Sequence, residues 1–287
     1  VFEIQSIKKT YNKKTVLEGI STRFSPGEFV ALMGKNGSGK STLMRLLAQQ
    51  ELVDGGDILF LEQSLRKSNT VINPFIAFIS EDHQLPLSIS LERWADHYAS
   101  ISRIYDRELL KRLRDDLEVD FSQNFHSLSR GQKAKALFCL LAARRPKAYI
   151  LDEITSVLDP GSRWTLMEFL KREVSTNRLV IMSTNIASEM HGFATHTLFL
   201  EHGRPLFSAR TDQLQDHFQA FRIPPALGET LGSGKFRRIL KNSDGSWTYL
   251  MSKTDGEKFP PGALEERREI TLADVQSYFT AKEGAKQ

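Results

Sequence analysis

Residues Gly34 to Ser41 read GKNGSGKS and fit the spacing G-x-x-x-x-G-K-[ST]. The stretch lies between an apolar strand-like run, FVALM (29–33), and a sequence of helical period from about Lys40. In that setting the loop residues Asn36, Gly37, Ser38 and Gly39 let backbone N–H groups curl around phosphate oxygens. The helix that follows adds the partial positive charge of its N-terminus. Lys40 then sets an ammonium near the β and γ phosphates of a nucleotide, Ser41 offers a hydroxyl to Mg²⁺, and Thr42 can bond a phosphate. A second stretch, AYILDE (148–153), ends an apolar run in two carboxylates. On its own such a pair is an ordinary solvated turn. Behind a phosphate loop, Asp152 is placed to hold Mg²⁺ and Glu153 to polarise a water for in-line attack.

These groups need a scaffold that brings loop ends together. Strand patterns at 2–8, 15–24, 29–33, 57–61, 75–79, 147–151, 178–184, 196–201 and 204–209 alternate in part with helical ones. That alternation predicts an α/β fold with a largely parallel sheet covered on both faces. KKTYNKK is expected to turn between the first two strands. From about 86 to 144 charged, helix-period sequence predicts a helical subdomain. PPALGETLGSG (224–234) reads as a linker, KFRRIL and SWTYLM around NSDG as a hairpin, and TLADVQSYFTAKEG as a final helix started by Thr271.

With 287 residues, 40% hydrophobic and 26% charged, the chain can bury a core as one large domain or a large and a small one. The net charge of +4 is a mild bias, and no Lys/Arg stripe interleaved with aromatics suggests a nucleic-acid groove. No apolar run approaches the length that spans a bilayer. VFEIQSIKKT lacks the continuous apolar core of a secretory signal, so contact with a membrane is expected only through another chain. Cys139, the single cysteine, sits in ALFCLLAA and reads as a small buried hydrophobe of a helix.

LSRGQK (128–133) opens a helix. GKNGSGKST, LSRGQ, ILDE and SVLD (156–159), in this order and spacing, resemble the ATP-binding cassette of ABC transporters, over about residues 1–210. The resemblance implies a P-loop NTPase core of RecA type with an antiparallel β subdomain, a helical subdomain at about 86–144, and an accessory or regulatory α+β extension over 211–287. It implies ATP and Mg²⁺ as ligands and ATP hydrolysis as the activity. Tyr11 falls where the family stacks an aromatic on adenine. The resemblance further implies that two identical cassettes pack head to tail, so that Ser129, Gly131 and Gln132 reach the partner's γ-phosphate and Asp159 couples the two sites. A transmembrane permease is expected to dock near residues 81–100, holding the chain at the cytoplasmic face of the cell membrane. The closing helix ITLADVQSYFTA is similar to that of bacterial drug, antibiotic and peptide exporters, which implies export of peptides, toxins or hydrophobic drugs. The motifs are also compatible with an ATP-sensing cassette with little hydrolysis and with a non-transport ABC ATPase.

Three positions depart from the family pattern. Glu81 aligns with a usual Gln that contacts Mg²⁺ or the attacking water, and a carboxylate can still ligate Mg²⁺; a shifted register would bring Gln84 there instead. Arg130 replaces a usual Gly, either as a tolerated surface change or as an extra cation near the partner's nucleotide. Asn185, at the end of VIMSTN, replaces a usual His that contacts the γ-phosphate. Its amide can donate a hydrogen bond but cannot carry a positive charge or shuttle a proton. His191 nearby reads as a surface residue.

Overall fold

The computed structural model describes residues 1–66, 74–80, 82, 83, 85, 88–102, 104–223, 237–241, 247–252, 265–267 and 269–280. Its strands are β1 (Phe2–Tyr11), β2 (Lys14–Phe24), β3 (Phe29–Met33), β4 (Gly55–Phe60), β5 (Gln63–Ser64), β6 (Ile76–Ser80), β7 (Ala148–Asp152), β8 (Leu179–Ser183), β9 (His196–Glu201), β10 (Arg204–Arg210), β11 (Phe218–Ile223), β12 (Arg237–Lys241), β13 (Trp247–Ser252) and β14 (Glu265–Arg267). The helices are α1 (Lys40–Leu47), α2 (Leu91–Ile101), α3 (Arg107–Asp116), α4 (Arg130–Ala142), α5 (Pro160–Ser175), the single-turn α6 (Leu214–His217) and α7 (Leu272–Thr280).

The site rests on a six-stranded sheet of order β10-β9-β3-β8-β7-β6, parallel except for β10 at its edge. Every residue of β3, β7 and β8 is buried, as their unbroken apolar runs require of strands covered on both faces. The register lines up Ser80 with Asp152, and Asp152 and Leu32 each with Ser183. Ser80, Asp152 and Ser183 therefore form a polar row on three neighbouring strands at the carboxyl end of the sheet, where ligands of open α/β sheets bind.

A second, antiparallel sheet of order β2-β1-β4-β5 packs beside it. Phe2, Ile4 and Ile7 of β1 are all buried, although a strand alternates and Ile7 lies three positions after Ile4. A bulge resolves the conflict: the register shifts between Ile4 and Ile7, with Ser6 at φ 46°. Gly56 faces the bulge, where a Cβ would meet the carbonyl oxygens of Gln5 and Ser6 at 2.3 and 2.4 Å. The expected turn KKTYNKK is shorter than its composition suggests. Only Asn12 and Lys13 turn, both at positive φ (46° and 68°), a two-residue connection that matches strand twist. Tyr11 is consequently a strand residue opposite Lys14.

The helical subdomain holds α2, α3 and α4, started by Ser90, Asp106 and Ser129 as N-cap chemistry favours. Cys139 is buried in α4, and burial holds its thiol well above the usual range.

The C-terminal extension adds a third sheet, order β12-β13-β11-β14. β12 and β13 pair as the expected hairpin; its NSDG turn and the 224–234 linker lie outside the described residues. The sequence reading missed β11, which follows α6 directly. This sheet is not a separate body: Leu214, Phe218, Leu250, Leu272 and Val275 share one buried cluster with Met182 and Phe199 of the central sheet. Thr271 starts α7 as expected. Thr271 N donates to Asp274 Oδ2 at 2.9 Å while Asp274 N donates to Thr271 Oγ1 at 3.3 Å, a capping box with Asp in the acidic place.

Candidate functional site

β3 ends at Met33 and α1 begins at Lys40, so the glycine loop turns within six residues. Gly34 (φ 146°) passes against the backbone of β9, where a Cβ would meet Leu200 O at 2.3 Å. Gly39 caps α1 at φ 104° with no side-chain cap, and the helix has no acid in its first turn. Its first N–H groups are left open to a ligand. Ser38 Oγ is buried without a hydrogen-bond partner among the described residues. The loop bounds a cavity of about 310 Å³, lined among others by Lys40, Ser41, Thr42, Asp82, Asp152 and Glu153. Open helix donors and a buried ammonium on the wall of one cavity fit the phosphates of a nucleotide. Ser41 with Asp152 could hold Mg²⁺, and Asp82 lies in reach of the same space.

Lys40 is buried to 4% exposure. Its Nζ donates to Gly34 O at 2.9 Å and to Asn185 Oδ1 at 3.3 Å, and stands 3.8 Å from Glu153 Oε1. Burial pulls the ammonium's pKa down, and the charges of Glu153 and Asp152 oppose that. Asn185 Nδ2 donates to the same Glu153 oxygen at 3.0 Å. One amide thus joins the loop's cation to the carboxylate, accepting from the first and donating to the second. The strand does reach the phosphate loop, and Asn fits this place by having one acceptor and one donor atom on a single planar head.

Asp152 and Glu153 are placed by Ser183. Its hydroxyl donates to Asp152 Oδ1 at 2.6 Å and accepts from Glu153 N at 3.0 Å. Glu153 itself takes a left-handed backbone, φ 53°, a conformation rare outside glycine and concentrated at functional sites. Ser183→Ala should lower stability by about 1–3 kcal/mol, because a fully buried carboxylate contact and an N–H lose their partner. The thermal midpoint checks this; an unchanged midpoint would mean that Ser183 does not hold the pair.

The loop after β8 is tied down from inside by Glu189. Thr155 Oγ1 (2.8 Å), Thr184 Oγ1 (3.1 Å) and Arg163 Nη1 (2.6 Å) all donate to its carboxylate.

Ser129 and Arg130 are exposed at the start of α4, and Ser129 Oγ accepts from Gln132 N at 3.3 Å. Gly131 has no room for a side chain, since a Cβ would lie 2.6 Å from Val157 O. Asp159 caps α5, accepting from Ser162 N at 2.8 Å, and pairs with Lys135 at 3.1 Å. Those bonds, Ser162 first, hold its carboxyl well below the usual range. None of these four signature and Asp159 positions lines the cavity of their own chain.

Tyr11 also lies outside that lining. Its hydroxyl donates to Glu51, and Lys9 Nζ sits 5.2 Å from the ring centre. Burial, then Glu51, push the phenol's pKa up to about 12, while the Thr42 hydroxyl beside it acts the other way. Glu81 and Gln84 lie outside the described residues; their neighbour Asp82 is the acid that the cavity receives. His191 is exposed, as expected.

A family model described as ABC transporter matches residues 17–156. An energy-coupling factor transporter ATP-binding protein of Staphylococcus aureus (strain USA300) is 31% identical over 194 residues, which cover 64% of this chain and 71% of that protein. The chain belongs to the ABC transporter ATP-binding family. It is also 28% identical over 182 residues to the spermidine/putrescine import ATP-binding protein PotA of Mycoplasma capricolum, 60% of this chain. The chain spans half of that protein's own length. Among solved structures, the dimeric post-hydrolysis state of an ATP-binding cassette bound to ADP and Pi superposes with a TM-score of 0.65. The sequence identity is 19%, over 73% of this chain and 98% of that one, so this likeness speaks for the ABC cassette fold. Among the described residues no helix is long and apolar enough to cross a membrane.

Within the family frame, the phosphate loop, Asp152, Glu153 and Asn185 come together in this chain. Sequence reading missed Ser183 as the holder of the carboxylates and Glu189 as the anchor of the Asn185 loop. Neither belongs to a spaced motif, and only strand register and a tertiary contact reveal them.

Proposed function

We propose that the chain is the ATP-hydrolysing motor of an ABC transporter, working with a second cassette and a separate membrane-spanning partner. The observation that carries this is the meeting of Lys40, Asn185 and Glu153 at the mouth of the loop, next to Asp152. Lys40 and the open N–H groups of the loop bind the phosphates. Ser41 and Asp152 would hold Mg²⁺, which would supply positive charge against the charge that develops on the transferred phosphate. Glu153 takes a proton from water as its oxygen attacks the γ phosphorus and the bond to the ADP oxygen breaks. Asn185 orients Glu153 and donates toward the γ-phosphate. Tyr11 supports the adenine side.

Ser129, Gly131 and Gln132 serve the nucleotide of a second copy. Their placement at the N-terminus of α4, with Ser129 exposed, Gly131 and Gln132 half-buried and all three away from their own cavity, supports that assignment. Asp159 links the two sites through the segment that Gly131 touches. The relative solved as a dimer with ADP and Pi fits the same arrangement. The permease docks near 81–100 and holds the chain at the cytoplasmic face of the membrane. The boundary between cassette and accessory extension is placed at 210/211. Export of peptides, toxins or hydrophobic drugs rests on the short likeness of the closing helix; one named relative is an import protein, so the proposal takes the motor and leaves direction and cargo to the permease.

A sensing cassette with little turnover has one observation in its favour: Asn185 cannot bear the positive charge of an imidazolium. The Asn185 variants decide between the two. Asn185→Ala should slow hydrolysis about 10-fold or more, and Asn185→His less. Phosphate release measures both. Equal rates in all three proteins would remove Asn185 from the reacting phosphate.

A further inference from the structure

We propose that Gln276, on the closing helix of the extension, is a positioning residue for Asn185 and thereby sets the rate of turnover; this rests on the hydrolytic reading above. Gln276 Nε2 donates to Asn185 O at 2.7 Å, and Gln276 Oε1 accepts from Ala187 N at 3.0 Å. The two bonds clasp the backbone on both sides of Ile186. A neutral amide is the side chain that can do both at once. Residues Asn185 and Ile186 are exposed, and the loop leaves the sheet at Ser183, so β pairing does not hold it there. Glu189 secures its inner side. Gln276 secures the outer one, from a residue 91 positions away.

The clasp is stiff. The Thr271–Asp274 box fixes the start of α7, Leu272 and Val275 are buried, and Phe279 packs on Phe199 of the central sheet at 5.0 Å between ring centres. Asn185 must present its amide to Lys40 and Glu153 together, at 3.3 and 3.0 Å. A displacement of about 1 Å in such a group can cost about 100-fold in rate. The extension therefore reaches the Asn185 loop with a polar side chain that no motif of the cassette contains.

The test uses the full chain. Gln276→Ala should lower kcat about 10-fold with KM for ATP unchanged. In an Asn185→Ala background the same change should cost nothing further, because its effect passes through the Asn185 amide. An equal loss in both backgrounds, or an unchanged kcat, would overturn the proposal. Gln276→Glu keeps the bond from Ala187 N but cannot donate to Asn185 O, and should also lower kcat. Amide exchange at Ala187 gives a readout independent of turnover: it should quicken about 10-fold in Gln276→Ala, and an unchanged rate would refute the clasp. A wild-type chain that shows the clasp by exchange but releases no phosphate would fail the hydrolytic reading instead.

Discussion

Glu153→Gln should retain ATP and lose about 100- to 1,000-fold in turnover, the scale of removing a general base. Glutamine has the same shape, so it can still accept from Asn185 Nδ2, now at 3.0 Å from the glutamate oxygen. It can also keep the left-handed backbone that Glu153 adopts at φ 53°. What it lacks is a basic oxygen for the proton of water. Its neutral head also relaxes the attraction to Lys40, 3.8 Å away, and leaves more of that ammonium for the phosphates. Binding survives while chemistry stops, so a closed ATP-bound dimer should accumulate. Phosphate release with light scattering reads both effects. A monomeric variant of full activity would take the role of base from Glu153.

Lys40→Ala should weaken ATP binding about 100-fold or more, because truncating one partner of a buried, hydrogen-bonded charge pair costs about 2–5 kcal/mol. Lys40 is costly to bury, and the fold sustains it with Gly34 O, Asn185 and two carboxylates. Without it Glu153 and Asp152 face the phosphates uncompensated. A nucleotide titration measures the loss. Normal affinity in this variant would refute the assignment of the loop.

The ordered motifs and the strands beneath them were legible in the sequence because each is local. A glycine loop, an apolar run ending in acids and a capped helix declare themselves within ten residues. FVALM, AYILD and LVIMS form the parallel core within one residue of their expected bounds. Asn185 was legible as a group aimed at the phosphates through the family resemblance, which sets a phosphate-contacting His at that strand end. Its pair of hydrogen bonds, accepted from Lys40 and donated to Glu153, was not, because that depends on the register that sets Ser183 beside Asp152. The turn at Asn12–Lys13 escaped composition: Lys8, Lys9 and Lys14 look solvated, yet they belong to strands whose other faces are buried. β11 was missed because FQAFRI borders a Pro/Gly-rich stretch and finds both partners, β13 and β14, farther along the chain. Gln276 carries no signal at all at the level of sequence, being one polar residue on an amphipathic helix.

Steady release of phosphate from Mg-ATP by the purified chain is the most direct measurement of the role assigned to Lys40, Asn185 and Glu153. Turnover that Lys40→Ala and Glu153→Gln both abolish is the predicted result. ATP bound to saturation with no phosphate released, alone and with the membrane partner present, would contradict the motor and leave a cassette that senses ATP.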